Sequence, residues 1–175
     1  MQDQDPKDLD ALAEEIQQGR DAIVVPEELV EERPPEKQVT GNLQIKIQAM
    51  KVGERLKLAL KGNRDARTVL LRDPNRMVQR FVLLNPRITD DEVQGLAKNR
   101  NVDRELLEGI ARRKDWVSNY QVRLALATNP KTPLAMAVRF VPTLQPRDLR
   151  LLAKSKNVPA AVCSTAKRLI LKRGE

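Results

Sequence analysis

The chain has 175 residues, with 32 Lys and Arg against 24 Asp and Glu, and it holds one cysteine and no histidine. A single cysteine excludes a disulfide framework and a multi-thiolate metal site, and the lack of histidine excludes histidine triads and most zinc sites. No apolar run approaches the ~20 residues that span a bilayer, and the acidic N-terminus is not typical of a signal peptide. We therefore expect a cytoplasmic protein that does not contact a membrane.

The charges are distributed unevenly along the chain. Residues 1–40 hold 12 acidic and 4 basic side chains, whereas residues 41–175 hold 12 acidic and 28 basic ones. The net charges of the two parts are therefore −8 and +16, which together give the +8 of the whole chain. This asymmetry predicts two parts, an acidic N-terminal tail over residues 1–40 and a basic helical-repeat domain over residues 41–175.

The acidic tail carries one helical pattern. Its apolar residues predict a short helix over about 7–18, with Gly19 as its stop. The residues on the apolar face are Leu9, Leu12, Ala13 and Ile16. The acidic stretch that follows, with Pro26, Pro34 and Pro35, has too few apolar residues to bury a core. We expect the tail to be largely disordered outside the short helix.

The body of the chain is predicted to be all helical. Residues 43–48 alternate apolar and polar side chains, which is typical of a strand, but no other stretch alternates and a strand needs a partner. We therefore predict a helix over 43–50. Further helices are predicted over residues 54–61, 64–72, 76–84, 89–98, 103–113, 119–128, 133–141, 146–154 and 159–173.

Prolines divide these helices with tight corners. Pro130 has no N–H and disfavours helical geometry at Asn129, so the helix before it must end there. Thr132 is then predicted to cap a new helix that has Pro133 at its first position. Related corners occur at Asp73-Pro74, Asn85-Pro86, Gln145-Pro146 and Val158-Pro159. The sequence Thr89-Asp90-Asp91-Glu92 forms a capping box, which accounts structurally for its acidic residues.

The sequence repeats internally. Residues 78–86 align with residues 122–130 at an offset of 44, and the alignment pairs both Asn-Pro corners. Residues 96–102 align with residues 152–158 at an offset of 56. Because the two offsets differ by 12, we predict that the second copy contains one additional short helix with its corner.

The run from Val122 to Leu134 resembles the repeat units of HEAT-like and leucine-rich-repeat-variant proteins. The likeness is close over these residues and looser over about 64–170. It implies that the short helices stack into a superhelical solenoid. Variant-repeat proteins with an iron–sulfur segment carry a cysteine cluster, which this chain lacks, so no cluster is implied. The chain also resembles a bacterial family of small helical proteins, a resemblance that implies no function.

No catalytic or cofactor motif is present, because the chain lacks a Gly-rich phosphate loop, a nucleophile motif and a metal-ligand spacing. We predict a non-enzymatic protein without a cofactor. Cations in the last turn of a helix complement its dipole, but Arg64, Arg76 and Arg147 lie early in their helices, where the dipole opposes them. The candidate polyanion-binding residues are Arg64, Arg67, Arg76, Arg80, Arg147, Arg150 and Lys154.

Two functions remain open from sequence. The basic body favours binding of nucleic acid or another polyanion through its backbone charge, with the acidic tail as a competitor. The alternative is a protein–protein interaction scaffold that holds an acidic peptide or a partner subunit. Phe81 and Phe140 are predicted in the core and Trp116 is predicted to pack, so few aromatic side chains are left to stack on single-stranded bases. A duplex or a structured RNA is therefore the better nucleic-acid candidate.

Overall fold

The computed structural model describes residues 6–32 and 40–174. These residues form twelve α-helices and two 3₁₀ turns and contain no strand, which confirms the all-α prediction, including a helix in place of the alternating pattern at 43–48. The helices are α1 (Pro6–Gln17), α2 (Thr40–Gln48), α3 (Val52–Lys61), α4 (Arg64–Leu70), α5 (Arg76–Val82), α6 (Asp90–Lys98), α7 (Arg104–Arg112), α8 (Lys114–Ser118), α9 (Tyr120–Thr128), α10 (Leu134–Phe140), α11 (Pro146–Lys154) and α12 (Ala160–Arg173). The 3₁₀ turns are Glu27–Leu29 and Val141–Thr143.

The chain divides into two compact units, a first unit (Met1–Ile88) and a second unit (Thr89–Glu175). The sequence predicts a boundary at residue 40 instead, because the charge changes sign there. The first unit contains α1 to α5 around a core that includes Ile16, Ile47, Leu58, Leu70 and Phe81. The second unit contains α6 to α12 and buries Val93, Leu107, Ile110, Leu126 and Leu149.

The acidic segment, defined as residues 6–32, is folded onto the first unit. Helix α1 lies where the sequence predicts a helix, and it packs against α3 with Ala13 and Ile16 buried. Gly19 follows the helix with a φ of 69°, a left-handed conformation that suits glycine. Leu29 is also buried in the first-unit core. The structure thus differs from the predicted disorder over 19–32, and the predicted linker residues 33–39 lie outside the described residues.

Two predicted caps have different outcomes. Thr89 and Glu92 form the predicted capping box, in which the Thr89 hydroxyl accepts a bond from the Glu92 N–H and the Glu92 carboxylate accepts one from the Thr89 N–H. The predicted cap at Thr132 is wrong, because α10 begins one residue later, after Pro133, and the Thr132 hydroxyl oxygen has no hydrogen-bond partner among the described residues. Asn129 organises this corner instead, since its side-chain oxygen accepts the Lys131 N–H at 3.0 Å.

Three helix pairs repeat along the chain, namely α3 with α5, α6 with α9, and α11 with α12. In the second helix of each pair, two residues four positions apart are fully buried. These pairs are Val78 and Val82, Val122 and Leu126, and Val162 and Ala166. One helix, α4, separates α3 from α5, whereas α7 and α8 separate α6 from α9. The insertion predicted from the two offsets lies elsewhere, between residues 130 and 152, where α10 separates α9 from α11 whereas α6 directly follows α5.

The first helices of the pairs also share a sequence. Each has a buried Leu-Ala pair near its C-terminal end, followed four residues after the alanine by an asparagine. The three copies are Leu58-Ala59 with Asn63, Leu96-Ala97 with Asn101, and Leu152-Ala153 with Asn157. The second and third copies belong to the repeat predicted at an offset of 56, whereas the first copy was not predicted. The three helices can therefore be aligned residue by residue, with an offset of 38 from α3 to α6 and of 56 from α6 to α11.

Candidate functional site

Arg67, one of the predicted polyanion-binding residues, is a structural residue instead. It is 2% exposed, and its guanidinium donates to a Glu32 carboxylate oxygen at 2.9 Å and to the Gly62 carbonyl at 3.1 Å. Burial raises the pKa of Glu32, but the hydrogen bond from Arg67 and the N–H of Arg64 outweigh it, so the pKa lies below its usual value. Arg67 therefore anchors the acidic segment and cannot contact a partner.

Other cations of the first unit also meet the acidic segment. Lys57 pairs with Asp21 at 2.8 Å, and Lys46 pairs with Glu28. Arg80, another predicted site residue, lies 3.9 Å from Asp10 in an exposed pair. Arg87 donates to the Val30 carbonyl at 2.9 Å and lies 3.8 Å from Glu32. The remaining first-unit candidates, Arg64 and Arg76, have exposed side chains.

Because the acidic segment belongs to the first unit, the net charge of the molecule belongs to the second. Residues 1–88 hold 15 acidic and 15 basic side chains, so their formal charges cancel. Residues 89–175 hold 9 acidic and 17 basic side chains, a net charge of +8. An electrostatic attraction for an acidic partner is therefore concentrated in the second unit.

Helix α11 brings three predicted site residues together. Arg147, Arg150 and Lys154 are exposed on it, whereas Leu149, Leu152 and Ala153 are buried. This arrangement follows from the helical period, since positions three, four and seven residues apart share a face. Within the described residues, none of the three cations has an ion-pair partner. We call Arg147, Arg150, Leu151 and Lys154 the α11 face.

Leu151 is the residue of this face that sequence reasoning missed. It is 63% exposed and stands among the three cations. It lines an open groove of about 290 Å³ in the second unit. The apolar lining is completed by Leu124, Ala125 and Leu152, and Lys98 at the end of α6 also borders the groove. The sequence did contain a signal for this residue, because Leu151 lies four positions after Arg147 and therefore on the same, otherwise charged, face of the helix.

Asp148 also lines the groove, but its carboxylate is held by the protein. The Tyr120 hydroxyl donates to Asp148 and accepts the Gln145 N–H at 3.1 Å. Burial raises the pKa of Tyr120, and the carboxylate of Asp148 raises it further, so the phenol stays protonated. These bonds join the start of α9 to the start of α11 and fix two walls of the groove.

A second basic cavity adjoins α11 at its C-terminal end. Lys154, Lys156 and Lys167 line an open pocket of about 590 Å³ between α11 and α12. Cys163 also lines it, and its thiol is half-buried and donates to the Ser155 carbonyl at 3.2 Å. Lys154 borders this pocket and belongs to the α11 face, so the positive charge extends from one cavity toward the other.

The aromatic side chains serve packing. Phe81 and Phe140 are buried, as predicted, and Trp116 is 6% exposed with the Arg113 guanidinium 4.0 Å from its ring centroid. Tyr120 is half-buried and hydrogen-bonded. These four are all the aromatic residues of the chain, so the structure offers no row of exposed rings for stacked bases.

No family model, curated protein or solved structure matches this chain. Across residues 6–32 and 40–174, no helix has the length and apolar character needed to cross a membrane. The same residues contain no group of three or more His, Cys, Asp or Glu side chains placed to hold a metal ion.

Proposed function

We propose that this protein is a non-enzymatic helical-repeat module that binds an acidic partner through its second unit. The three repeated helix pairs support a HEAT-like stacking of short helices as the architecture of the module. The α11 face is the binding surface in this proposal, with Arg147, Arg150 and Lys154 as the residues that meet negative charge. Arg64, Arg76 and Arg80 are secondary candidates, because they belong to a unit whose formal charges cancel.

The observation that carries the proposal is the partition of charge between the units. The acidic segment pairs with Lys46, Lys57, Arg67 and Arg80 in the first unit, whereas the three cations of α11 have no such pairing among the described residues. Cations that are exposed, clustered on one helix and not neutralised by neighbouring carboxylates attract a polyanion most strongly. That the acidic tail, residues 1–40, competes with this partner stays a prediction.

Nucleic acid is the partner that charge alone favours. A phosphate backbone is recognised by exposed Arg and Lys without any need for apolar contacts. The lack of exposed aromatic rows favours a duplex over a single strand. An acidic polypeptide is the second candidate, and the groove beside Leu151 is the specific observation that favours it, because a phosphate backbone has no aliphatic group to place there.

We expect the full chain to bind a 16-base-pair DNA duplex and a polyglutamate peptide more weakly as salt concentration rises. If about three to five phosphates are neutralised, log K for the duplex falls against log salt with a slope of roughly −2.7 to −4.5. Changing Arg147, Arg150 and Lys154 together to Glu should lower the affinity for both ligands at least about tenfold at low salt. Fluorescence anisotropy measures both affinities. Binding that is indifferent to salt, or unchanged in the triple variant, would contradict the proposal.

A further inference from the structure

Helices α3 and α11 occupy equivalent places in the internal repeat, so their residues can be compared position by position. Through the shared Leu-Ala pair, Gly53 and Lys57 of α3 correspond to Arg147 and Leu151 of α11. Glu54 and Asp148 correspond as well, each near the start of its helix. Downstream, Asn63 corresponds to Asn157.

In the first unit, the acidic segment covers this face of α3. The Lys57 ammonium donates to Asp21 at 2.8 Å and to the Ile23 carbonyl, and a Cβ at Gly53 would lie 3.7 Å from the Ile23 side chain. Further along, the Asn63 side chain donates to the Glu28 and Glu31 carbonyls at 3.1 and 2.9 Å. The covering residues 21–26 are not helical, and the 3₁₀ turn Glu27–Leu29 follows them.

The covering segment has a distinct chemistry. Its sequence Asp21-Ala22-Ile23-Val24-Val25-Pro26-Glu27-Glu28-Leu29-Val30-Glu31-Glu32 combines five carboxylates with five large aliphatic side chains. Three of the carboxylates, those of Asp21, Glu28 and Glu32, pair with cations of the first unit. The aliphatic residues Ile23, Val25 and Leu29 pack on its core. The chain therefore already contains one acidic, aliphatic, non-helical segment bound to α3, the helix that corresponds to α11 in the internal repeat.

No described residue of the second unit covers the equivalent face of α11. Arg147 and Leu151 are exposed, and Leu151 borders the 290 Å³ groove floored by Leu124 and Ala125 of α9. Asn157, the counterpart of Asn63, is exposed rather than buried. We propose that the α11 face and its groove bind an acidic, aliphatic, non-helical segment of a partner protein, one with the chemistry of residues 21–32. This inference rests on the proposed function and names the class of its partner.

Both parts of that chemistry have a place on the face. Carboxylates of the partner meet Arg147, Arg150 and Lys154, which are spaced along about two helical turns. An aliphatic side chain enters the groove against Leu151 and Leu124, which removes apolar surface from water. A nucleic acid would use the three cations but not the two leucines, so the leucines distinguish the two partner classes.

The probe is a fluorescein-labelled peptide with the sequence of residues 21–32, titrated into the full chain and followed by anisotropy. We expect saturable binding that Leu151→Ser weakens about tenfold, because the variant removes the apolar contact without changing the net charge. Leu171→Ser is the matched control, since Leu171 is 83% exposed on α12 and outside the groove, and it should bind like the native chain. Leu151→Ser should leave affinity for the DNA duplex unchanged.

Several outcomes would overturn this inference. One is no peptide binding up to millimolar concentration, and another is equal binding by the native chain and Leu151→Ser. Equal affinity for a peptide of the same composition with its aliphatic residues moved to one end would show that charge alone suffices. Self-association of the native chain that Leu151→Ser abolishes, measured by sedimentation, would make a second copy the occupant.

The same variants separate this inference from the proposed function. If charge reversal on α11 weakens binding of the ligands but Leu151→Ser does not, only this inference fails. If charge reversal has no effect, the proposed function fails with it.

Discussion

Asn85 and Asn129 hold two helix corners with the same set of hydrogen bonds. The Asn85 amide donates to the Ala59 and Gly62 carbonyls at 2.9 and 3.2 Å, and its oxygen accepts the Arg87 N–H at 2.9 Å. The Asn129 amide donates to the Ala97 and Asn99 carbonyls at 2.8 and 3.1 Å, and its oxygen accepts the Lys131 N–H. Only an amide supplies two donors and an acceptor in this space, which explains why asparagine precedes proline at both corners.

Alanine at either corner should therefore be costly. Asn85→Ala removes the side-chain donor to the Ala59 carbonyl and Asn129→Ala removes the one to the Ala97 carbonyl, whereas the Gly62 carbonyl still accepts a bond from Arg67. Each variant should therefore lower the free energy of unfolding by about 1–3 kcal/mol. Asn101→Ala is the matched control, because the Asn101 side chain is exposed, and it should change stability by less than about 0.5 kcal/mol. Urea unfolding followed by circular dichroism measures the difference. Losses as small as the control's at both corners would show that these bonds do not stabilise the fold.

At the scale of elements, the acidic segment behaves as part of the first unit. Glu32 neutralises the buried Arg67, and Asp21 neutralises Lys57, whose side chain is 15% exposed. Burial raises the pKa of Asp21, but hydrogen bonds from Lys57 and from the Ile23 N–H lower it more, so its pKa lies below its usual value, as it does for Glu32. A partly buried cation that loses its carboxylate is left without compensation, which is why the segment cannot be regarded as a detachable tail.

This pairing predicts acid sensitivity. Because both carboxyl groups have a lower pKa in the folded chain than in the unfolded chain, their stabilisation is present at neutral pH and is lost as pH falls below about 5 toward 3. The double variant Asp21→Asn and Glu32→Gln should be less stable at pH 7 and should lose less stability on acidification. Thermal unfolding between pH 7 and pH 3 checks this. A native chain and variant with parallel pH profiles would indicate that the two pairs contribute nothing.

At the scale of the whole molecule, the helices could be predicted from the sequence. Which cations are exposed and which are paired within the fold could be predicted only in part. Proline corners, caps and the helical period act locally, so they indicated the helices from α3 to α12, apart from the short α8, and α2 followed from the lack of a partner for a strand. Arg67 looked like an exposed cation because its partner, Glu32, lies 35 residues away, and only tertiary packing brings them together. The repeat with Leu58-Ala59 was missed because its next residue is Leu60 rather than the lysine of the other two copies.

The exposed groove was equally hidden from the sequence. Leu124 begins the apolar run of residues 124–127 in α9, yet it is half-buried and lines the groove with Leu151, whereas the three residues after it are buried. Which apolar residues stay exposed depends on how neighbouring helices are spaced. By contrast, the grouping of Arg147, Arg150 and Lys154 required only the helical period, and it is the part of the candidate site that the sequence predicted.

The central claim is that the acidic partner binds specifically to the α11 face. The alternative is that it is attracted by the net charge of the chain, whichever residues carry that charge. Two triple variants test it most directly, one with Arg147, Arg150 and Lys154 changed to Glu, and one with Arg64, Arg76 and Arg80 changed to Glu. Both change the net charge of the full chain by the same amount. The measurement is the affinity for the peptide of residues 21–32 at low salt. The account predicts at least about a tenfold loss for the α11 variant and a much smaller loss for the first-unit variant. Equal losses in the two variants would contradict it.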